Sequence, residues 1–151
     1  MVSDDAASSS WRGVPGRLLS GLNSAERTDR PAGSIPLSTE TVCELLSNAR
    51  RRAVIVHIAA LDAEETVQMG DLARTIAGEE HDIPPETVSA EQRKTVYVSL
   101  LQNHLPKLDA AGVVEWNDRS GDIARGECVE ELAALVESIV RACEPEREHA
   151  A

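Results

Sequence analysis

Over residues 1–37 the apolar positions keep no sustained period. Ser8-Ser9-Ser10, Gly13, Pro15-Gly16, Gly21, Pro31, Gly33 and Pro36 interrupt the stretch, which reads as a disordered or loosely docked tail. At Ser38 the pattern turns helical. Ser38-Thr39-Glu40-Thr41 supplies a hydroxyl N-cap and a first-turn Glu, and Val42, Cys43, Leu45 and Leu46 mark a short helix ending near Ser47-Asn48. A second helix follows over residues 50–61, apolar on most sides after a basic start, as expected of a central helix. Thr66 to Met69 reads as a short extended piece, and Asp71 to Ala77 as a helix ending near Gly78.

The loop 79–88 contains Pro84-Pro85, which cannot continue a helix. Ser89-Ala90-Glu91-Gln92 has the form of a capping box and opens a third helix that runs to Leu105. Pro106 removes the bond to the Gln102 carbonyl, so the helix is expected to kink or restart there, and Gly112 ends it. Val113 to Trp116 and Asp122 to Arg125 flank the turn Asn117-Asp118-Arg119-Ser120-Gly121, which predicts a β-hairpin. In residues 127–143, Cys128, Leu132, Leu135, Ile139 and Ala142 recur at helical spacing, and Val129, Ala133, Val136, Val140 and Cys143 repeat it one residue on. This broad stripe lies opposite Glu130, Glu131, Glu137 and Arg141 and predicts an amphipathic helix. Residues 144–151 read as a charged, frayed end.

At 151 residues the chain accommodates one ordinary domain with tails. Its 26 carboxylates against 15 basic residues give a net charge of −11, and of the basic residues only Lys94 and Lys107 are Lys. Such acidity with so little Lys fits a protein of a halophile, where surface carboxylates hold water and ions; the alternative is an acidic protein with a basic partner. No apolar run is long enough to span a membrane, and the absence of an apolar leader argues for a cytoplasmic protein. Cys43, Cys128 and Cys143 lack metal or disulfide spacing and read as buried small hydrophobes.

Helix, helix, short strand, helix, long helix, hairpin is the order of a winged helix-turn-helix. The expected fold is therefore mainly α with a small β-hairpin, a winged helix-turn-helix over residues 38–126 plus an additional C-terminal helix over 127–143. The stretch from Ser99 to Val114, with His104-Leu105 and Ala111-Gly112-Val113-Val114, resembles the recognition helix of arsenical-repressor-type winged helices. Leu45-Leu46-Ser47-Asn48-Ala49-Arg50-Arg51-Arg52, Lys94 to Leu100 and His104 to Leu108 together resemble a haloarchaeal family of winged-helix domains without assigned function. The resemblance covers residues 39–125 and implies a transcriptional regulator without catalytic residues.

Within residues 38–126 fifteen acids face nine basic residues, yet Gln92 to Lys107 contains no carboxylate. With Val96, Leu100, Leu101, Leu105, Leu108 and Tyr97 assigned to the core, Thr95, Ser99, Gln102 and Asn103 face outward. These four are the base-reading candidates, because Gln or Asn can pair bidentately with adenine. Arg93, Lys94, Lys107 and Arg119 are the phosphate candidates; the recognition helix spans about 91–108 and the wing about 113–125. Arg50-Arg51-Arg52 at a helix start oppose its dipole and call for a partner, either phosphate or, as favoured here, Glu44 and Glu40. His57 and His104 read as structural, and no residue pattern supports a metal, a cofactor or catalysis.

The leading expectation is a regulator binding double-stranded DNA as a homodimer through Leu132, Leu135, Val136, Ile139 and Val140. The rival is a winged-helix module that binds protein and not DNA. A third is a ligand or redox sensor using Cys128 or Cys143.

Overall fold

A computed structural model describes residues 34–143 of the chain. Helix α1 (Thr39–Leu46) starts at Ser38, whose Oγ accepts the Thr41 amide at 3.1 Å. After Ser47 and Asn48, helix α2 (Ala49–Ala59) opens with Asn48 Oδ1 accepting the amides of Arg50 and Arg51, at 2.9 and 3.1 Å. Two helices joined by a two-residue corner must turn sharply, and each hydrogen-bonded cap meets donors that the helix itself cannot satisfy. Leu45 and Leu46 meet Val54, Ile55 and Ile58 in the core. Helix α2 buries one side, with Val54, Ile55 and Ile58 in the core, while Val56 is exposed, so fewer of its sides are covered than its apolar composition predicts.

Strand β1 (Thr66–Gln68) leads directly into α3 (Met69–His81). Two expectations fail here. Met69 is a buried helical residue rather than part of the strand, and Gly78 does not end the helix but lies buried within it. The reason is steric, since a Cβ on Gly78 would come within 2.8 Å of the Ile83 carbonyl oxygen in the loop folding back over it. The helix ends one turn later with Asp82 in the left-handed region (φ 56°), while the Ile83 amide donates to the Gly78 carbonyl at 2.9 Å. A short 3-10 turn (Pro85–Thr87) then leads to α4 (Ala90–Ser99), which starts with the reciprocal Ser89–Gln92 capping box.

Helix α4 continues through a π-turn (Leu100–His104) into α5 (Leu105–Ala110). Pro106, with no amide hydrogen, leaves a carbonyl of the preceding turn without its helical donor, and the chain absorbs the defect by widening that turn. The Leu105 amide reaches back to the Leu100 carbonyl, one residue further than in an α-helix. Beyond Ala111, Gly112 has φ 78°, the Val113 amide donates to Leu108 O at 2.9 Å and the Gly112 amide to Asp109 O at 3.0 Å. This pair of bonds is a Schellman ending, which requires the left-handed residue that Gly supplies.

Strands β2 (Val114–Trp116) and β3 (Asp122–Arg125) form the hairpin, and β1 pairs on the other side of β3, giving an antiparallel sheet in the order β1-β3-β2. Ile123 is opposite Val67 on one side and Trp116 on the other, and is fully buried. Asn117 shapes the turn, its Oδ1 accepting the amides of Arg119 and Ser120. Where the hairpin returns, the Gly126 amide donates to Val113 O at 3.0 Å and the Glu127 amide to Gly112 O at 2.9 Å. A Cβ on Gly126 would lie 2.3 Å from the Gly112 oxygen, so the two backbones approach as only glycine allows.

Helix α6 (Val129–Ala142) packs on α2. Its Val129, Leu132 and Val136 are buried in the core of the single chain, because its apolar stripe is used first against α2. That removes Leu132 and Val136 from the expected dimer surface. Leu135 is half-buried, while Ile139 (40%) and Val140 (62%) extend the stripe into the open. Ile35 and Leu37 pack on the core, so the compact region begins before residue 38. Trp11, residues 1–33 and residues 144–151 lie outside the described residues. The fold is mainly α with a small three-stranded antiparallel sheet. Among the described residues no helix is long and apolar enough to cross a membrane.

Candidate nucleic-acid interface

The helix running from Ala90 through the π-turn to Ala110 has two sides of different chemistry. Val96, Leu100, Leu105 and Leu108 are buried, and His104 among them is only 3% exposed. Arg51, itself 6% exposed, extends from α2 to place Nη1 3.2 Å from His104 Nδ1. A guanidinium can only donate, so Nδ1 accepts and the imidazole is neutral. Burial, followed by the charges of Arg51, Arg50 and Lys107, holds the His104 pKa below its ordinary value. The same guanidinium donates to the Leu45 carbonyl at 3.1 Å and the Glu44 carbonyl at 2.8 Å, and Arg52 donates to the Leu46 carbonyl at 2.6 Å. The open carbonyls at the end of α1 are thereby satisfied by cations, which also suit the negative end of its dipole.

The arginine run is thus internally bound, as favoured from the sequence, but its partners differ. Arg50 pairs with Glu80 (2.9 Å from Nη2 to Oε1), and that pairing lowers the Glu80 pKa. Arg51 and Arg52 use backbone carbonyls, and the Glu44 side chain goes to Lys107 Nζ at 3.3 Å. His57 pairs with Glu79 at 2.8 Å and is half-exposed, so it is structural without belonging to the core.

The opposite side carries the base-reading candidates. Thr95, Gln102 and Asn103 are exposed and Ser99 is half-buried. Thr95 Oγ1 donates back to the Glu91 carbonyl at 3.1 Å. Among the described residues, the Gln102 and Asn103 side chains make no hydrogen bond. The core assignment fails at two neighbours, for Tyr97 (37%) and Leu101 (38%) are both exposed. The π-turn accounts for Leu101: in an uninterrupted α-helix it would share a row with Leu105 and Leu108, and the additional residue in the turn rotates it out of that row.

The phosphate candidates divide by their existing partners. Of the nine basic residues in 38–126, Arg50, Arg74, Lys107 and Arg125 are in ion pairs, while Arg51 and Arg52 are bound to carbonyls. The remaining three, Arg93, Lys94 and Arg119, have no ion-pair partner among the described residues. Arg93 and Lys94 lie in the first turns of α4; Arg93 Nη1 passes over α3, 3.2 Å from where a Gly70 Cβ would be. Arg119 is on the hairpin turn beside a shallow cleft lined by Asp109, Glu115, Asp118 and Asp122, so the hairpin offers phosphate one cation amid carboxylates. Sequence reasoning foresaw internal partners for Arg50 to Arg52 but not the pairing of Lys107 with Glu44, 63 residues away, or of Arg125 with Glu130; Arg74 with Asp71 is a local helical pair.

Two of the three cysteines, Cys43 and Cys143, are exposed, against expectation, and Cys128 is buried. Burial, then Glu131 and Glu127, push the Cys128 pKa up, away from the thiolate that redox sensing needs. Among the described residues no cluster of His, Cys, Asp or Glu is placed to hold a metal ion.

These features define a small, mainly helical domain in which one long helix is free of carboxylates from Gln92 to Lys107. Residues 43–124, more than half of the chain, match the family model described as Domain of unknown function (DUF7344), and the chain belongs to that family. No curated protein and no solved structure matches the chain.

Proposed function

We propose that the chain is a DNA-binding transcriptional regulator of a halophile, built as a winged helix-turn-helix. In this reading α3 and the helix beginning at α4 are the paired helices, the latter enters the major groove, and β2–β3 is the wing. The supporting observation is the coincidence, on the carboxylate-free segment from Gln92 to Lys107, of exposed amides at Gln102 and Asn103 with cations at Arg93 and Lys94, none of which has a side-chain partner among the described residues. In a chain of net charge −11, a segment of this length without a carboxylate suits a polyanion with hydrogen-bonding base edges. With few phosphate contacts, affinity falls only gently as salt rises. The regulator acts as a homodimer, with Leu135, Ile139 and Val140 remaining as contact residues after Leu132 and Val136 are assigned to the core. The test is selection of the full chain against a random duplex pool across a salt series. Enrichment of defined sequences, lost on Gln102→Ala/Asn103→Ala with unchanged folding, is the expected result. A folded chain that enriches no sequence at any salt removes the proposal.

A protein-interaction module is the second reading, favoured by an apolar groove of about 530 Å³ between α1 and α6. Leu37, Val42, Cys43, Leu46, Leu135 and Ile139 line it, without a charged side chain. Partner capture that is lost with Ile139→Asp but unaffected by Gln102→Ala would favour this reading.

A further inference from the structure

Leu101 and Tyr97 are large side chains, within the acid-free segment from Gln92 to Lys107, that the fold leaves in solvent. They are four residues apart, so they lie over one another on the same helical face. Val56, Tyr97, Leu101, Ile139 and Val140 are the exposed large hydrophobics of the described residues, and two of the five fall on this one helix. The position of Leu101 has a specific cause. The π-turn that takes it out of the row of Leu105 and Leu108 also carries Gln102 and Asn103, so one backbone irregularity exposes an isobutyl group and, on the next two residues, two carboxamides.

We propose that this turn reads A·T base pairs, with Leu101 covering the thymine 5-methyl group and Gln102 or Asn103 bonding adenine; the proposal rests on the DNA-binding reading above. The methyl of thymine is the apolar group that the major-groove edges offer, and adenine N6 and N7 are the donor and acceptor that match a carboxamide. Both chemistries therefore point to the same base pair. The charge agrees, since Arg93 and Lys94 lie about two to three turns earlier and no carboxylate intervenes between Gln92 and Lys107. A face meant for an acidic or neutral peptide would gain from Leu101 and Tyr97 but would leave the paired amides without a defined use.

The test uses the full chain and the duplexes it selects from a random pool, each resynthesised with uracil in place of thymine. Uracil keeps every hydrogen-bonding group and removes only the methyl. Binding about fourfold weaker to the uracil duplexes is expected from loss of one buried methyl. Leu101→Ala should lower affinity for the thymine duplex to that for the uracil duplex. Because the first comparison is made with the unaltered chain, it does not depend on how the variant folds. Equal binding of thymine and uracil duplexes overturns the proposal and leaves the DNA-binding reading intact, as does a selected consensus of G·C pairs. Failure to enrich any duplex overturns both readings.

Discussion

His104 and Asn103 are neighbours in sequence and opposites in treatment. His104 is enclosed, its Nδ1 bonded to a buried guanidinium that also closes the end of α1; Asn103 and Gln102 are exposed and unbonded. The comparison shows how to tell polar groups that the fold uses from those it leaves available. A buried polar group without a partner costs about 1–3 kcal/mol, so partners are found for it. An exposed amide bonds water at no such cost, and only an incoming ligand gives it a fixed partner. Both treatments meet in the π-turn.

The comparison breaks first at Arg51. Arg51→Ala leaves His104 and the Glu44 and Leu45 carbonyls without their donor and should lower unfolding free energy by about 3 kcal/mol, measured by urea denaturation. A loss below about 0.5 kcal/mol would show that the buried joint is not holding the helices. Adding His104→Ala to that background isolates the contact between them, and a double-mutant cycle should return a coupling of about 1 kcal/mol. Acid supplies a milder perturbation. The folded chain holds the His104 pKa below its ordinary 6.5, so between that value and the lower native one the unfolded chain binds the extra proton. Stability is complete above about pH 6.5 and declines as pH falls. Urea midpoints followed against pH should show a shallower decline in His104→Gln than in the parent chain. The smallest effect is expected on the other side, where Gln102→Ala/Asn103→Ala should change stability by less than about 0.5 kcal/mol in the same assay. A larger loss would mean that the amides serve the fold.

Features whose causes are local in the chain were legible beforehand. Ser38 and the Ser89–Gln92 box start their helices, Gly112 ends one, and Asn117 to Gly121 turn the hairpin. Each depends on residues within a few positions. What was misread depends on distant chain. Gly78 resembles a helix end until the loop crossing it is known, and Arg51, expected to pair with Glu44 or Glu40 side chains, instead binds backbone carbonyls of α1 and His104. The effect of Pro106 was expected, but the form it took was not. A widened turn moves Leu101 out of the core row, and no periodicity that assumes a constant pitch can anticipate that. In the candidate interface, the acid-free stretch and its amides were read from sequence, whereas the sorting of cations into engaged and free needed the partners' positions.

At Gly126 two stretches of backbone lie closer than a methyl group permits, one leaving the sheet and the other leaving α5. A seam of this kind has no side chains that could slide or repack. The base of the hairpin and the tail of the long helix consequently form a single mechanical piece. A force that tilts the helix is delivered to the strands without slack, and a load on the hairpin travels back along the same path.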